Sequence, residues 1–596
     1  MTGIQRIAII GAGPTGVACA KYLVAENAFQ TIDVFEQRDN AGGIWNLSEP
    51  IKSRQIPIPQ TNPSYGAGSR LANGFNSQEQ SGHVNNHAKQ YGSNNEDSLE
   101  FESPLYDYLE TNIPKTMMAF SDAPFSATLP LYPGHADVLE YLEEYAAPVR
   151  HLIRFHTQVI DVQLHQEKHA TSDSPLSQHK WYITTRDLTT SATTQALYDA
   201  VVVANGHYTV PHVPDIPGIA AWNKKYPNTI IHSKAYRRPE DFKNQRVMVI
   251  GNSASGLDIA GQIAPYAQNP VYLVSRSASQ LAPSGTGPQW RKDIPEIVEF
   301  LVDADHRRSV RSKDGQITDN LDAIIFATGY FYSFPFISSS PSQSSSSSST
   351  SVSSEASPTS TTSTPSNSPT SPNTHSHNAH HKNTSTSRSS LSLTTTGLRT
   401  HAVYQHFLSI PYPTLALPTL NLKIIPFPLA ENQAAVLSRI WSGRLDLPSP
   451  TVMRDWETSE TQRLLKAGRL RPAPISTTTI EDAAYPNETE AGFHTLLYPE
   501  DAVQINNLYT WASSARRNPN LPNDGTGKLG TYWGEYEVWL RGQFADVKAA
   551  FVARGNGRWE VRGLGDLGGR WTEAGWKKEK GVEKGREGLV RDGVEE

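Results

Sequence analysis

The sequence predicts an α/β protein with two Rossmann-like dinucleotide-binding domains, the second inserted into the first, and a disordered Ser/Thr-rich insert. Two glycine-rich turns predict the domains: GAGPTG at residues 11–16 and GNSASG at residues 251–256 each follow an apolar strand and open a helix. An internal repeat supports them, because YDAVVVANGHY (198–208) resembles LDAIIFATGYF (321–331) position by position.

The elements around the turns follow from apolar runs and helical periodicity. A stretch ending HADVLEYLEEYA (135–146) is amphipathic, with Val138, Leu139 and Leu142 on one side. The predicted strands are 4–10, 31–36, 198–204, 246–251, 271–276 and a strand within 321–330, and the predicted helices of the two glycine-turn units are 14–25 and 255–264.

The first glycine turn has the residues that a dinucleotide needs. Gly11 allows the tight turn, Gly13 lets the backbone approach a pyrophosphate, and Gly16 lets the helix pack on the strand. The pyrophosphate then lies at the helix N-terminus. Glu36 ends the next strand and can accept hydrogen bonds from a ribose diol. The predicted contacts are Gly11, Ala12, Gly13, Pro14, Thr15, Gly16 and Glu36.

The second glycine turn differs in two ways. Its middle glycine is replaced by Ser253, and its second strand ends in Ser275 and Arg276 instead of an acid. A hydroxyl and a guanidinium suit a 2′-phosphate, which predicts NADPH and not NADH. The alternative is that Arg276 is a solvated surface residue. The predicted contacts are Gly251, Asn252, Ser253, Ala254, Ser255, Gly256, Ser275 and Arg276.

Two different nucleotides indicate a hydride path from NADPH to a flavin. Disulfide reductases share this plan but need a redox-active cysteine pair, and Cys19 is the single cysteine, so this class is excluded. A single cysteine cannot build a cysteine zinc site, and we predict no metal site. HSHNAHH (375–381) is either a metal-binding tract or a polar linker, and its position within a Ser/Thr/Pro-rich tract favours the linker.

The net charge and apolar patterning restrict the partners and the location. The formal net charge is −6, whereas nucleic-acid-binding proteins usually have a basic surface, so we expect no nucleic-acid partner. The sequence contains no run of 18 or more apolar residues, so we predict no membrane span. The first residues lack the pattern of a secretory signal. We therefore predict a cytoplasmic protein of undetermined oligomeric state.

The chain contains the segments Gly42-Gly43-Ile44-Trp45, TNIP (111–114) and YPNTIIHSKAY (226–236). Together these segments resemble motifs of the flavin-containing monooxygenases, particularly their fungal members. Gly42-Gly43-Ile44-Trp45 is similar to the family's flavin segment, and TNIP (111–114) to its T-N-x-P segment. YPNTIIHSKAY (226–236) follows the fingerprint F-x-G-x-x-x-H-x-x-x-Y, with Tyr226 and Asn228 as departures. FATGY (326–330) and the segment 424–448 also match the family pattern.

The resemblance implies a mechanism and further site residues. NADPH reduces FAD, O2 forms a C4a-hydroperoxyflavin, and a soft nucleophile of a small molecule, an amine nitrogen or a thiol or thioether sulfur, takes one oxygen. It assigns Gly43, Ile44, Trp45, Thr111 and Asn112 to cofactor binding, and Asn112 to catalysis. The alternative role of Asn112 is a turn residue before Pro114.

Two other functions compete with heteroatom oxygenation. The related Baeyer–Villiger enzymes usually have Trp at the last fingerprint position, where this chain has Tyr236, which favours oxygenation of nitrogen or sulfur over ketones. A catalytically decayed flavoprotein acting as an interaction protein is the other alternative. The intact glycines, Glu36, Arg276 and Asn112 argue against decay.

The domain boundaries follow from these motifs and from composition. We predict an FAD-binding domain at 1–212 with a polar insert at 62–100, an NADPH-binding domain at 213–325, completion of the FAD domain and substrate pocket at 326–337 and 397–575, a disordered insert at 338–396 and a charged tail at 576–596.

Overall fold

The computed structural model describes residues 3–48, 56–66, 101–166, 176–177, 179–276, 279, 288–302, 308–337, 395–470 and 490–581. Most of the predicted insert at 62–100, nearly all of the Ser/Thr-rich tract at 338–396, the histidine-rich segment 375–381 and the end of the charged tail lie outside these residues.

Strands outnumber helices in the first 330 residues, and helices dominate after residue 420. The strands are β1 Arg6–Ile10, β2 Thr31–Phe35, β3 Ile153–Arg154, β4 Thr157–Gln166, β5 His179–Asp187, β6 Thr193–Tyr198, β7 Ala200–Val203, β8 Val210–Pro211, β9 Ile230–His232, β10 Val247–Ile250, β11 Val271–Val274, β12 Arg291–Ile294, β13 Ile297–Val302, β14 Arg308–Ser312, β15 Ile317–Thr318, β16 Ala323–Phe326, β17 Tyr330–Phe331, β18 Val403–Tyr404, β19 Leu408–Ser409 and β20 Leu415–Ala416. The α-helices are α1 Pro14–Glu26, α2 Lys115–Met118, α3 His135–Ala146, α4 Ile219–Lys225, α5 Ala254–Ile263, α6 Pro426–Trp441, α7 Pro450–Lys466, α8 Glu500–Ser513, α9 Glu535–Gly542, α10 Phe544–Val552 and α11 Glu573–Lys580.

The first sheet joins the two ends of the chain. Within the described residues its strand order is β18-β19-β20-β7-β1-β2-β3. The strands from β20 to β3 are parallel neighbours, and β18, β19 and β20 pair antiparallel. Because β18 to β20 come from residues 403–416, the part of the chain after the Ser/Thr-rich tract completes the sheet that β1 begins.

The second sheet is formed by residues between β7 and β18. Its order is β12-β11-β10-β16-β9, and all its pairings are parallel. β10, β11 and β16 are buried along their whole length, as expected for a parallel sheet covered on both faces. Two antiparallel three-stranded sheets, β4-β5-β6 and β13-β14-β15, accompany the two parallel sheets.

The internal repeat in the sequence is a structural repeat. β1 pairs with β7 from Ile7↔Ala200 to Ile10↔Val203, and β10 pairs with β16 from Val247↔Ala323 to Ile250↔Phe326. Each strand that precedes a glycine turn therefore has the strand of the repeated segment, β7 or β16, as a parallel neighbour in the same register. This confirms the prediction of two Rossmann-like domains.

The predicted elements exist, and their ends differ by a few residues. β1 ends at Ile10 because Gly11 has φ +102°, a backbone conformation that a strand cannot continue. Helix α1 ends where Asn27 adopts φ +52°. The predicted strand 198–204 is in fact two elements, since Tyr198 belongs to the antiparallel β6 and the parallel β7 begins at Ala200.

Helix α6 is the central packing element of the C-terminal part. It lies against α1 and α8 and is buried on nearly all sides. Its buried Glu431 accepts hydrogen bonds from Tyr22 of α1, from Ser121 and from Thr531, so its charge has several polar partners.

The globular structure continues past the predicted limit at 575, because Trp576 of α11 is buried. No helix in the described residues is long and apolar enough to cross a membrane.

Candidate cofactor and substrate cleft

One continuous cleft of about 3570 Å³ runs along the carboxyl ends of both parallel sheets. This is where open α/β sheets bind nucleotides. It brings together most of the residues predicted from the sequence. Those lining it are Gly11, Gly13, Pro14, Thr15, Glu36, Gly43, Ile44, Trp45, Thr111, Asn112, Gly251, Asn252, Ser253, Ala254, Ser255, Ser275 and Arg276.

Three predicted residues, Ala12, Gly16 and Gly256, are not in the lining of this cleft. Gly16 and Gly256 lie where helix and strand meet. A Cβ atom at Gly16 would be 1.9 Å from the carbonyl oxygen of Gly11, and one at Gly256 would be 1.8 Å from that of Gly251. Both glycines therefore let the helix start close to the turn, which brings its free N–H groups to the cleft.

The first turn forms a cradle with the Gly42–Gly43 segment. A Cβ atom at Gly11 would be 2.6 Å from the carbonyl oxygen of Ala204, which lies in the repeated segment 198–208. Gly42 donates its N–H to the carbonyl of Ala12, and a Cβ at Gly43 would lie 3.0 Å from the Cα of Gly13. Two backbone segments thus meet without side chains between them, which leaves room for a pyrophosphate at the N-terminus of α1.

Glu36 stands beside this cradle and is 5% exposed. Its carboxylate accepts hydrogen bonds from the backbone N–H of Ala12 at 2.8 Å and of Arg38 at 2.9 Å. Burial raises the pKa of Glu36, and these hydrogen bonds oppose the rise. Because a carboxylate has about four acceptor sites, two N–H donors leave room for ribose hydroxyls.

The second turn repeats this geometry next to positive charge. A Cβ atom at Gly251 would be 2.4 Å from the carbonyl oxygen of Ala327, the counterpart of Ala204. Arg276 lines the cleft with a largely exposed side chain, and its Nε lies 3.9 Å from Glu296. Lys423 lines the same cleft, and burial together with the cations Arg469 and Arg276 lowers its pKa. Cations from both domains therefore face the place where a 2′-phosphate is predicted.

Asn112 lies on a loop that is fixed on both sides. The side chain is exposed and faces the cleft. Thr111 donates its N–H to the carbonyl of Pro133 at 3.0 Å, and Lys548 of α10 donates to the carbonyl of Thr111, also at 3.0 Å. Glu110 accepts hydrogen bonds from Lys548 and Arg558. The C-terminal helices therefore hold the loop that presents the Asn112 amide.

His232 and Tyr236 of the fingerprint have structural environments. The Nδ1 atom of His232 accepts the N–H of Lys234, so Nε2 donates to the carbonyl of Gly329 at 3.0 Å. Burial lowers the pKa of His232 to about 3. Tyr236 is 1% exposed, donates to Gln262 and packs against Tyr106. Neither His232 nor Tyr236 is in the lining of the cleft.

The cleft also contains residues that the motifs did not reveal. Asn421 and His207 are buried cleft residues, and Lys548 reaches it from α10. Asn421 follows β20 and His207 follows β7, so both lie at carboxyl ends of parallel strands. A polar residue just after an apolar strand was the available signal for them. Nothing in the local sequence indicates that Lys548 reaches a loop more than 400 residues away.

Comparison with known proteins decides the family. A sequence model described as "Flavin-binding monooxygenase-like" matches residues 90–284, and one described as "NAD(P)-binding Rossmann-like domain" matches residues 9–67. The flavin-containing monooxygenase iboF of Amanita muscaria (strain Koide BX008) is 30% identical over 507 residues, which are 78% of this chain and 83% of iboF. The chain belongs to the flavin-containing monooxygenase family. The thiol-specific monooxygenase of Saccharomyces cerevisiae is 28% identical, with 74% of this chain and 78% of that protein covered.

Two solved structures have the same fold as this chain. S-allyl-L-cysteine S-oxygenase from Allium sativum superimposes with a TM-score of 0.58 at 22% identity, covering 96% of this chain and 99% of that one. Tmm from Pelagibacter sp. strain HTCC7211 superimposes with a TM-score of 0.54 at 17% identity, covering 92% and 91%. The cofactors of this flavin-containing monooxygenase are FAD and NADPH. The two glycine cradles, Glu36 and the cations of the second turn fit these groups.

Proposed function

We propose that the chain is an FAD- and NADPH-dependent monooxygenase that transfers one oxygen atom of O2 to a soft nucleophile of a small molecule. The nucleophile is an amine nitrogen or a thiol or thioether sulfur. The observation that carries the proposal is the exposed amide of Asn112, which faces the same cleft as the two glycine turns. FAD, when bound, supplies the redox chemistry that activates O2.

The protein's contribution is mainly binding and orientation. The N-termini of α1 and α5 offer N–H groups to two pyrophosphates, Glu36 takes the ribose of FAD, and Arg276 takes the 2′-phosphate of NADPH. The Asn112 amide both donates and accepts hydrogen bonds, so it can hold a polar group of the reacting flavin in place. The contact of Lys548 with Thr111 restricts the motion of this amide.

Soft nucleophiles need little acid–base assistance, so the remaining requirement is a site that excludes water. Apolar side chains line the cleft beyond the glycine turns, among them Ile424, Ile425 and Phe427 before and in α6 and Phe544 and Val552 of α10. An apolar wall of this kind favours oxygen transfer over release of hydrogen peroxide.

The names of two relatives support sulfur as the first atom to test. One is a thiol-specific monooxygenase and the other an S-oxygenase of S-allyl-L-cysteine. We therefore place thiols and thioethers before amines in a substrate screen. NADPH consumption is followed against hydrogen peroxide release, because their difference measures coupling to oxygenation.

The variant Asn112→Ala tests the residue assignment in the same assay. We expect FAD binding to be retained and most NADPH oxidation to end in hydrogen peroxide. Thr116→Ala, an exposed substitution nearby that is not in the cleft lining, is the matched control and should leave coupling unchanged. Unchanged coupling in Asn112→Ala would make Asn112 a turn residue. A wild-type protein that couples with no amine, thiol or thioether would refute the proposed function.

A further inference from the structure

The position of the flavin ring follows from the strand order of the first sheet. The pyrophosphate lies at the turn after β1, and Glu36, which takes the adenosine ribose, follows β2. In the order β20-β7-β1-β2, the strands β7 and β20 are on the opposite side of β1 from Glu36. When bound, the flavin half of the dinucleotide would therefore extend across the carboxyl ends of β7 and β20.

Asn421 lies in this direction, five residues after β20. It lines the cleft, its side chain is 3% exposed, and neither its Nδ2 nor its Oδ1 has a hydrogen-bond partner. A buried amide without partners is unfavourable, since most buried polar side-chain atoms are paired. The unpaired atoms of Asn421 therefore indicate a ligand that pairs with them.

The backbone around Asn421 is fixed by hydrogen bonds to three separate segments of the chain. Thr15 of the first glycine turn donates to the hydroxyl of Thr419 at 3.0 Å, and the N–H of Thr419 donates to Gln433 of α6 at 2.7 Å. The hydroxyl of Tyr332 donates to the carbonyl of Leu420 at 2.5 Å. With these bonds in place, the Asn421 amide is held in the cleft next to the flavin-binding turn.

His207 is a second unpaired group in the same place, four residues after β7. It is 8% exposed, lines the cleft, and its Nε2 has no partner. Its ring lies 5.2 Å from that of Tyr332, which bonds the residue next to Asn421. Burial lowers the pKa of His207 to about 4, so the imidazole is neutral at pH 7.

We propose that Asn421 hydrogen-bonds the pyrimidine edge of the flavin ring, with the neutral His207 as a second polar contact. This edge presents carbonyl acceptors next to an N–H donor, and a carboxamide offers one acceptor and two donors in a matching plane. Both unpaired atoms of Asn421 are then satisfied by one ligand. The inference rests on the FAD site of the proposed function and is independent of the substrate.

The test compares two buried asparagines in the protein without and with FAD. Asn421→Leu removes the unpaired amide, whereas Asn432→Leu removes an α6 amide whose Nδ2 donates to the carbonyls of Ile505 and Thr531. Thermal unfolding of the apoprotein and FAD affinity by flavin fluorescence are measured for each. We expect Asn421→Leu to leave the apoprotein Tm unchanged or raised and to weaken FAD binding about 5-fold to 100-fold. Asn432→Leu should lower the apoprotein Tm.

Two results would overturn the inference, and a third would remove its second contact. Unchanged FAD affinity and an unchanged flavin absorbance spectrum in Asn421→Leu would exclude contact with the ring. A fall in apoprotein Tm equal to that of Asn432→Leu would make Asn421 a structural residue. His207→Phe retains the ring packing, so unaltered FAD binding in that variant would remove His207 from the site. Since no substrate is present, a failed oxygenation screen would refute the proposed function without affecting these outcomes.

Discussion

Replacing Gly256 by Ala should abolish NADPH binding and leave FAD bound. The added Cβ would lie 1.8 Å from the carbonyl oxygen of Gly251, whereas ordinary contacts begin at 3.4 Å, so the start of α5 must retreat by about 1.6 Å. The N–H groups at the start of α5 would then lie too far from the pyrophosphate to donate hydrogen bonds to it. Hydrogen bonds to charged groups contribute about 1.5–3 kcal/mol each, so losing two weakens binding at least about 100-fold.

The assay is a calorimetric titration of FAD-loaded protein with NADP⁺. Gly261→Ala is the control on the same helix, because its Cβ would meet only Trp290 ring atoms at 3.9 Å, and we expect normal binding. Gly16→Ala is the reciprocal variant, since its Cβ would lie 1.9 Å from the Gly11 carbonyl oxygen, and it should lose FAD. If Gly256→Ala lost FAD but kept NADP⁺, the assignment of the two turns would be reversed, and full binding of both would refute the packing argument.

Three further predictions concern charged groups of the cleft. Arg276→Ala should raise the KM for NADPH at least tenfold, about 1.4 kcal/mol, with little change for NADH, and an unaltered ratio of the two would contradict a 2′-phosphate contact. Burial raises the pKa of Asp258 from 3.8 to about 6. The wild type should therefore lose up to about 3 kcal/mol of unfolding free energy between pH 4 and pH 7, whereas Asp258→Asn should not show this loss. Parallel urea-unfolding profiles of the two proteins across this range would disprove this. Lys548→Met removes the donor to the Thr111 carbonyl, and we expect more hydrogen peroxide per NADPH; equal coupling would show that the loop needs no such support.

The two nucleotide modules were predictable because their determinants are local. A turn between strand and helix requires glycine at Gly11 and Gly251, where φ is +102° and +118°. Gly16 and Gly256, five residues further on, complete the pattern. The similarity of residues 198–208 to residues 321–331 also reflects a local requirement, since the strands in these segments, β7 and β16, pair in the same way with β1 and β10. Local signals of this kind can be recognised in a single sequence.

The rest of the cleft depends on contacts between distant parts of the chain. The segment of Asn421 is joined to the first glycine turn through the Thr15–Thr419 hydrogen bond, which spans 404 residues. Lys548 reaches Thr111 across 437 residues. Helical periodicity and turn residues indicate that these segments are ordered, but they carry no information on which segments meet. The antiparallel strand β6, which begins before the predicted strand at 198–204, was missed because only one polar residue, Asp199, separates Tyr198 from the apolar run 200–204.

The fate of the oxygen atoms tests the proposed heteroatom oxygenation most directly. Turnover of the FAD-loaded protein with NADPH, ¹⁸O2 and the best thiol, thioether or amine of the screen should place one ¹⁸O atom on sulfur or nitrogen for each NADPH consumed. Product oxygen from water, an ester formed from a ketone while no thiol, thioether or amine is oxygenated, or hydrogen peroxide as the only product would contradict the account.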